Sequence, residues 1–196
     1  MPRTKTQVRG TILAARRSLT EQQRRLESSA LGRHLENLTD APSTVCAYVP
    51  VGTEPGSLAA LDTLTDRGVV ILLPVARADA DGTPLPLRWG RYRPGALVEA
   101  PFGLREPAAP WLPAEHVATA STVLVPALAV DRRGTRLGRG AGFYDRTLRL
   151  ADPQARLIAV VRDDEVVAQL PAEPHDVAMT HALTPGSGVI ELAHRE

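Results

Sequence analysis

Apolar residues in the first forty positions recur at the spacing of amphipathic helices. One predicted helical face carries Val8, Ile12, Ala15 and Leu19. Thr20 and Gln23 have the types and spacing of a capping box, which predicts that a second helix begins there. The apolar positions of this second helix are Leu26, Ala30, Leu35 and Leu38. The pattern therefore predicts two consecutive helices.

Beyond residue 42 the pattern changes to short, continuous apolar runs, which are typical of strands buried on both faces of a parallel sheet. The predicted strands are 43–51, 69–76, 122–130, 155–161 and 177–183. Helices are predicted over 57–67, closed by Gly68, and over 142–150. Segment 77–118 is rich in proline and glycine, so we predict one short strand within 85–92 and otherwise long loops. This alternation predicts an α/β fold with three layers, in which a mostly parallel sheet has helices on both faces.

Composition narrows the possible partners. The 196 residues are 43% hydrophobic, which is enough for one domain spanning 1–196. The formal net charge is only +1, so no overall bias toward nucleic acid or an anionic membrane is visible. No run of about 18 apolar residues is present, and the N-terminal segment lacks the apolar core of a signal peptide. We expect a soluble, cytoplasmic, monomeric protein, whose single Cys46 is a buried structural thiol.

The segment RLGRGAGFYDR, residues 136–146, has the composition of a phosphate-binding loop. Its glycines allow the backbone to approach a ligand, and Arg136 and Arg139 add charges suited to phosphate oxygens. The spacing matches neither the P-loop nor the dinucleotide-binding fingerprint, and an arginine-rich connector with glycine turns is the alternative. Asp145 lies in the first turn of the predicted helix, where it either complements the helix dipole or holds magnesium.

Lysine usage is a second unusual feature. Of 23 basic residues, 22 are arginine, and the exception is Lys5. Either the coding bias of this chain favours arginine and Lys5 has no special role, or position 5 requires a compact ammonium group on a flexible stem. Composition alone favours the first interpretation.

The segment LVPALAVDRRGTRLGRGAGFYDR, residues 124–146, resembles the signature of the 5-formyltetrahydrofolate cyclo-ligase family. Further family motifs recur in order over nearly the whole chain: K-x-x-x-R at Lys5 and Arg9, Y-x-P…E at 48–54, FGLREP at 102–107, and H-D at 175–176. The resemblance implies the fold of the sugar-phosphate isomerase and CoA-transferase group. It also implies conversion of 5-formyltetrahydrofolate and ATP, with Mg²⁺, to 5,10-methenyltetrahydrofolate, ADP and phosphate.

The same resemblance assigns the site residues. The implied ATP-binding residues are Lys5, Arg9, Arg136, Leu137, Gly138, Arg139, Gly140, Ala141, Gly142, Phe143 and Tyr144. The implied folate-binding residues are Val49, Glu54, Arg139, Gly140, Ala141, Gly142 and Phe143. Catalytic contacts are expected from Arg136, Arg139 and Tyr144, and magnesium ligands from Asp145 and Asp176. With this resemblance, the functional interpretation of Lys5 becomes the favoured one.

Several alternatives remain at these positions. Glu54 has a carboxylate suited to the amino-pyrimidinone edge of a pterin, although a solvated loop acid is also possible. Asp176 could instead stabilise a turn. Phe143, Tyr144 and Trp89 could offer flat faces to the folate rings, or could belong to the core. The loop departs from many relatives in having Ala141 in place of lysine or glycine, and Phe143 in place of tyrosine.

Two other functional classes are compatible with parts of the sequence. A nucleotide-binding paralogue without cyclo-ligase activity would keep the phosphate-binding loop but would not need Glu54. A nucleic-acid-binding protein would use RWGRYR, residues 88–93, as a basic and aromatic surface. The nearly neutral net charge argues against the second class, and we expect ATP and 5-formyltetrahydrofolate as partners, with no nucleic acid and no membrane.

Overall fold

The computed structural model describes residues 4–173 and 176–193. The helices are α1 (Lys5–Ser18), α2 (Glu21–Leu38), α3 (Leu58–Asp66) and α4 (Phe143–Thr147), with short 3₁₀ helices at Pro101–Gly103, Ala114–Thr119, Leu148–Leu150 and Asp163–Glu165. The strands are β1 (Thr44–Cys46), β2 (Val70–Val75), β3 (Arg88–Arg91), β4 (Leu97–Ala100), β5 (Leu104–Pro107), β6 (Thr122–Pro126), β7 (Ala129–Asp131), β8 (Arg136–Leu137), β9 (Arg156–Val160), β10 (Val166–Val167), β11 (His181–Thr184) and β12 (Gly188–Glu191). His175 of the H-D motif lies outside the described residues.

Both N-terminal helices begin as their sequences indicate. Thr20 and Gln23 form the predicted capping box of α2, and a second box, made by Thr4 and Gln7, begins α1. The predicted apolar face of α2 is wrong at its start, because Leu26 is 64% exposed. Only the second half of α2 packs against the sheet, through residues such as Leu31 and Leu35, so the helical period continues beyond the part of the helix that is covered.

A large, mostly parallel sheet organises the described part of the chain, as predicted. Its strand order is β12-β11-β9-β6-β1-β2-β3. The five strands from β11 to β2 run parallel to their neighbours, whereas the edge strands β12 and β3 are antiparallel. Such a sheet places the carboxyl ends of its parallel strands along one edge, which is where open α/β proteins bind ligands.

Alternate residues of the central strands point to opposite faces, and helices cover both faces. On one face, Val45 and Ile71 pack in a cluster with Leu31 of α2 and Leu61 of α3. On the opposite face, a second cluster contains the following residues from the strands and the short helices: Cys46, Leu72, Val123, Val117 and Leu148. Burial of Cys46 raises the pKa of its thiol, which confirms its expected structural role.

Two predicted strands are shorter than their apolar runs. The strand predicted at 43–51 ends at Cys46, although the Ala47 N–H still donates to the Leu72 carbonyl oxygen, and Pro50 has no N–H group with which to extend the ladder. The strand predicted at 122–130 divides after Pro126: its first part is β6, and β7 pairs with β8 and β10 in a separate small sheet. Ala129 and Val130 of the small sheet are as fully buried as Val123 and Val125 of the large sheet. The apolar pattern therefore does not reveal that the chain passes from one sheet to the other.

Short strands and turns account for the other differences between the predicted and the observed elements. Segment 77–118 contains the antiparallel pair β4 and β5 in addition to the predicted strand, which is β3. The last predicted strand, 177–183, begins only at His181 and continues through a turn into β12. The helix predicted at 142–150 is α4 followed by a 3₁₀ turn. Among the described residues, no helix has the length and hydrophobicity needed to span a membrane.

Asp163 stabilises the turn between β11 and β12. Its carboxylate accepts hydrogen bonds from the Thr184 hydroxyl at 2.7 Å and from the backbone N–H groups of Gly186 and Ser187 at 2.9 Å. Burial alone would raise the pKa of Asp163, but these hydrogen bonds outweigh that effect and hold the pKa below its usual value of 3.8. The charged form therefore stabilises the fold at neutral pH.

We predict that Asp163→Asn lowers the free energy of unfolding by about 1 kcal/mol at pH 7, because the amide accepts weaker hydrogen bonds. A group with a lowered pKa contributes stability above its unfolded-state value and loses it as pH falls through the folded-state value. The difference between variant and parent should therefore shrink below about pH 4. Urea unfolding at pH 7 and pH 3 measures this difference, and a gap that is independent of pH would contradict the assignment.

Candidate active site

A cavity of about 670 Å³ opens at the carboxyl edge of the large sheet. The chain that follows β1, β2 and β6 contributes Val49, Ala76 and Ala127 to its wall. Helix α1 closes another side, and the loop after β8 closes a third. All the residues that the resemblance assigns to ATP, folate and magnesium line this cavity: Lys5, Arg9, Val49, Glu54, Arg136, Leu137, Gly138, Arg139, Gly140, Ala141, Gly142, Phe143, Tyr144, Asp145 and Asp176.

The glycine loop, residues 138–142, follows β8 and not a strand of the large sheet, which corrects the expected connection. Its left-handed backbone at Gly140 (φ 102°) and Gly142 (φ 80°) explains why glycine occupies these positions. Gly142 is the N-cap of α4, which has only five residues, so its helix dipole is small. The positive potential of this loop therefore comes mainly from arginine side chains.

Helix α1 binds to this loop. Arg9 donates from Nε to the Gly138 carbonyl oxygen at 2.9 Å. Lys5, four residues earlier, lies between two acids: its Nζ is 3.1 Å from Glu173 Oε1 and 3.5 Å from Asp176 Oδ2. The structure therefore brings Lys5 and Arg9 to the same cavity as the loop, although about 130 residues separate Arg9 from Gly138.

The two candidate magnesium ligands form ion pairs within the protein. Asp145 Oδ1 accepts a hydrogen bond from Arg136 Nη2 at 2.6 Å, which is a third role beside those expected from sequence. Asp176 Oδ2 contacts Lys5 and accepts a hydrogen bond from the Glu173 N–H at 2.8 Å, so Asp176 does stabilise a turn. Neither pairing excludes a metal ion, because a carboxylate has several acceptor sites.

Glu54 joins the two loops that flank the cavity. Its Oε1 is 3.0 Å from Arg139 Nε, and its Oε2 accepts from the Val51 N–H at 3.0 Å. The side chain is only 11% exposed, so the interpretation of Glu54 as a solvated loop acid is wrong. The carboxylate is fixed in place and lines the cavity.

Aromatic side chains form part of the cavity wall. Phe143, Tyr144 and Tyr48 line it, and Arg136 stacks on the Tyr144 ring at 5.7 Å. Burial, with a further contribution from Glu54, raises the pKa of Tyr144, so its hydroxyl stays protonated at neutral pH. Trp89 does not line the cavity: it is 1% exposed and donates to the Ala114 carbonyl oxygen, so its core interpretation is confirmed.

Sequence reasoning missed several residues of the wall, including Arg16, Tyr48, Arg105 and Glu173. The sequence does contain a signal that could have identified Arg16. It follows Arg9 by seven residues, two helical turns, and so belongs to the same face of α1 as Arg9 and Lys5. Tyr48 lies within the Y-x-P…E motif, where only Val49 and Glu54 were assigned. Arg105 lies within the FGLREP motif, to which no site residue was assigned, and no local signal marks Glu173, which reaches the cavity through tertiary structure.

The sequence profile of the 5-formyltetrahydrofolate cyclo-ligase family matches residues 2–185. The chain belongs to this family. A 5-formyltetrahydrofolate cyclo-ligase of Mycolicibacterium smegmatis is 62% identical over 97% of this chain and 98% of that protein. Cyclo-ligase sequences therefore resemble this one over both the strands and the cavity loops.

Two solved structures also resemble this chain over most of its length. The 5,10-methenyltetrahydrofolate synthetase of Aquifex aeolicus superposes with a TM-score of 0.74 at 25% identity, covering 98% of this chain and 94% of that one. A 5,10-methenyltetrahydrofolate synthetase from Mycoplasma pneumoniae superposes with a TM-score of 0.68 at 18% identity, covering 89% and 94%. The second likeness, at this identity, concerns the fold alone.

Gly142 offers a test of the loop geometry. We predict that Gly142→Ala weakens ATP binding about tenfold and lowers stability by roughly 1 kcal/mol, because a side chain strains the left-handed backbone that shapes the loop. Gly82→Ala is a matched control, since Gly82 has the same φ of 80° but does not line the cavity. Calorimetry and thermal unfolding of both variants compare the effects. Equal ATP affinities in the two variants would contradict a ligand-binding role of the loop.

Proposed function

We infer that this protein catalyses the ATP-dependent cyclisation of 5-formyltetrahydrofolate to 5,10-methenyltetrahydrofolate, with release of ADP and phosphate. The observation that carries this inference is the composition of a single cavity. One part of its wall has cations and a glycine loop suited to phosphates, and another has a fixed carboxylate and aromatic rings suited to a reduced pterin. Family membership supports the same reaction.

The reaction requires the protein to align ATP with the formyl group, and it requires no nucleophile from the protein. A formyl oxygen on N5 is a poor leaving group, and transfer of the γ-phosphoryl group to that oxygen makes it a good one. N10 then attacks the formyl carbon, the carbon–oxygen bond breaks, and phosphate departs with the former formyl oxygen while N10 loses its proton. Holding the phosphoryl group and the formyl oxygen in line is the main task of the protein.

The cations of the cavity wall would hold the phosphates from two sides. Lys5 and Arg9 would contact the phosphates from α1, and Arg136 and Arg139 from the glycine loop. Arg136 is 7% exposed, and a guanidinium group so far from water stabilises developing charge more strongly than one at the surface. The Tyr144 hydroxyl can donate a hydrogen bond to the reacting oxygen, because it has no hydrogen-bond partner among the described residues and Tyr144 lines the cavity.

The folate would occupy the part of the cavity near Glu54. Glu54 accepts hydrogen bonds from the amino group and ring N–H of the pterin, and Arg139, paired with Glu54, lies between folate and nucleotide. Val49 and Phe143 provide apolar surface to the rings. This arrangement favours a cyclo-ligase over a nucleotide-binding paralogue, which would not need a carboxylate fixed at this place.

The residues present also fit a magnesium ion. Mg²⁺ prefers oxygen ligands, and one or two carboxylates together with substrate phosphates usually suffice. Asp145 and Asp176 would hold it, and they line the cavity beside the cations. When bound, Mg²⁺ neutralises phosphate charge and orients the phosphoryl group. Asp145 keeps Arg136 in position through their ion pair.

Other expectations remain proposals. We propose a cytoplasmic monomer with the fold of the sugar-phosphate isomerase and CoA-transferase group, and with no nucleic acid or membrane as partner. The order of elements supports the fold comparison. Burial of Trp89 and Tyr92, at 1% and 3% exposure, argues against RWGRYR as a surface that stacks on nucleic-acid bases.

A direct assay tests the proposed function. The absorbance of 5,10-methenyltetrahydrofolate should rise when the protein is mixed with 5-formyltetrahydrofolate and Mg·ATP, with one ADP formed per product molecule. Omission of ATP should abolish the change. ATP binding without product formation would favour the nucleotide-binding paralogue.

We predict that Glu54→Gln weakens 5-formyltetrahydrofolate binding about tenfold, because the amide loses charge-assisted hydrogen bonds to the pterin. ATP affinity should change less than threefold, and the free energy of unfolding should fall by no more than about 1 kcal/mol, because glutamine keeps an acceptor for the Val51 N–H group. Calorimetric titration with each ligand measures the two affinities, and exposed Glu115→Gln provides a control. Equal losses for both ligands would show that the variant disturbs the whole cavity through Arg139.

We predict that Asp145→Asn lowers kcat more than tenfold and raises the magnesium concentration needed for half-maximal activity, since an amide is a poor ligand for a hard cation. Exposed Asp66→Asn serves as the control. Initial rates across a magnesium titration and the thermal midpoint separate two roles. Loss of stability with an unchanged magnesium requirement would assign Asp145 only to the ion pair with Arg136.

A further inference from the structure

Arg16 is a buried cation in the cavity wall to which neither the motifs nor the reaction scheme gives a role. It is 1% exposed. Its Nε and Nη2 atoms donate to the two Glu165 oxygens at 2.6 and 2.7 Å, and Nη2 also donates to the Ala127 carbonyl oxygen at 2.7 Å. The remaining nitrogen, Nη1, is buried and has no hydrogen-bond partner. Arg16 nevertheless lines the cavity.

A buried donor without a partner destabilises the folded protein, and a donor on a charged group does so most. Within the described residues, only four buried side-chain atoms lack a partner: Arg16 Nη1, Ser43 Oγ, Thr122 Oγ1 and Tyr144 Oη. Two of the four, on Arg16 and Tyr144, belong to residues that line the cavity. Unsatisfied polar atoms in a ligand cavity indicate hydrogen bonds that a ligand completes.

The pairing of Arg16 indicates which kind of ligand atom fits. Glu165 already balances its charge through a bidentate ion pair, so a phosphate oxygen would bring a net negative charge into a buried place. The other described cations of the cavity wall are all more exposed than Arg16 and better suited to phosphates: Lys5, Arg9, Arg105, Arg136 and Arg139. The free N–H of Arg16 is instead suited to an uncharged carbonyl oxygen, which needs one directional donor and no net charge.

Arg16 is also rigidly oriented. Glu165 accepts from the Arg162 N–H at 2.7 Å, and Arg162 in turn pairs with Glu27 of α2 at 2.8 Å. These contacts fix both partners of the ion pair, so the direction of the two unused N–H bonds of Nη1 is set before any ligand arrives. Preorganised donors of this kind contribute to specificity because they lose little conformational freedom on binding.

We propose that Arg16 is a folate-binding residue whose Nη1 donates a hydrogen bond to an uncharged carbonyl oxygen of the reduced folate. The proposal rests on the proposed function for the identity of the ligand. 5-Formyltetrahydrofolate offers two such oxygens in its reacting half, the 4-carbonyl oxygen of the pterin and the formyl oxygen on N5. Both are amide-type acceptors, and the experiment distinguishes them.

The test uses the double variant Arg16→Met/Glu165→Gln. Methionine keeps the apolar stem of Arg16 without its donors, and glutamine avoids leaving an unpaired buried charge while keeping an acceptor for the Arg162 N–H. We expect 5-formyltetrahydrofolate affinity to fall about tenfold, as for loss of a charge-assisted hydrogen bond, with Mg·ATP affinity within twofold of the parent. Glu165→Gln alone is the matched control, because it retains Arg16 and should retain most of the folate affinity.

A second titration, with 5-methyltetrahydrofolate, identifies the acceptor, since this compound has the ring carbonyl but no formyl oxygen. Equal losses for the methyl and formyl compounds assign the contact to the ring carbonyl, and a loss for the formyl compound alone assigns it to the formyl oxygen. Unchanged affinity for both compounds overturns the proposal. An equal loss in Glu165→Gln, or for Mg·ATP, also overturns it, because the ion pair would then act only on the structure.

Measurement on the unaltered protein keeps the proposal testable if the double variant does not fold. The Arg16 guanidinium resonances, assigned by comparison with Arg16→Lys or by through-bond correlation, should shift when 5-formyltetrahydrofolate is added and not when Mg·ATP is added. Absence of a folate-dependent shift overturns the proposal. The cyclisation assay separates the two inferences: a parent protein that binds folate through Arg16 but forms no product would disprove the proposed reaction alone.

Discussion

The buried ion pair between Arg16 and Glu165 determines where helix α1 lies. Apolar contacts of α1 are few, and they involve Val8, Ile12 and Leu13 against the small sheet. Such contacts would tolerate sliding or rotation of the helix, whereas a bidentate ion pair at 1% exposure tolerates neither. Buried ion pairs contribute little net stability, because desolvation offsets their attraction, but a misplaced partner is strongly unfavourable. The pair therefore acts as a constraint on register, and the position of one whole wall of the cavity follows from it.

Charges across the rest of the cavity are matched in pairs. Arg136 pairs with Asp145, Arg139 pairs with Glu54, and Lys5 lies between Glu173 and Asp176. In the absence of ligands these three cations thus have anionic neighbours, and Arg9 donates to the Gly138 carbonyl oxygen, which limits repulsion among basic groups gathered in one place. Binding of a polyphosphate would add negative charge to these pairs, and a divalent cation would then restore the balance. The magnesium ion proposed for this cavity would then have an electrostatic role apart from catalysis.

The central part of the fold could be predicted from sequence because its signals are local. The capping box at Thr20, the left-handed Gly68 that closes α3 and the apolar runs of β2 and β9 each depend on neighbouring residues. Division of 122–130 into β6 and β7 could not be predicted, since both parts are fully buried and differ only in their pairing partners. The glycine loop was recognisable as part of the candidate site from its glycines and arginines. Glu173 was not, because what distinguishes it is a tertiary contact, and the helical position of Arg16 indicates its face but not its ion pair with Glu165.

Helix α1 comes from the first twenty residues, yet its polar partners come from much later in the chain. The bonds from Lys5 to Asp176, from Arg9 to Gly138 and from Arg16 to Glu165 span 171, 129 and 149 residues. Contacts of such high sequence separation are slow to form, because the entropy of closing long loops must be lost first. During synthesis α1 is made before its partners, and it cannot form these contacts until strand β8, the segment after β9 and the segment near residue 176 exist. Completion of the cavity is therefore a late event in folding, and a chain that has formed its sheet can still lack a site for ligands.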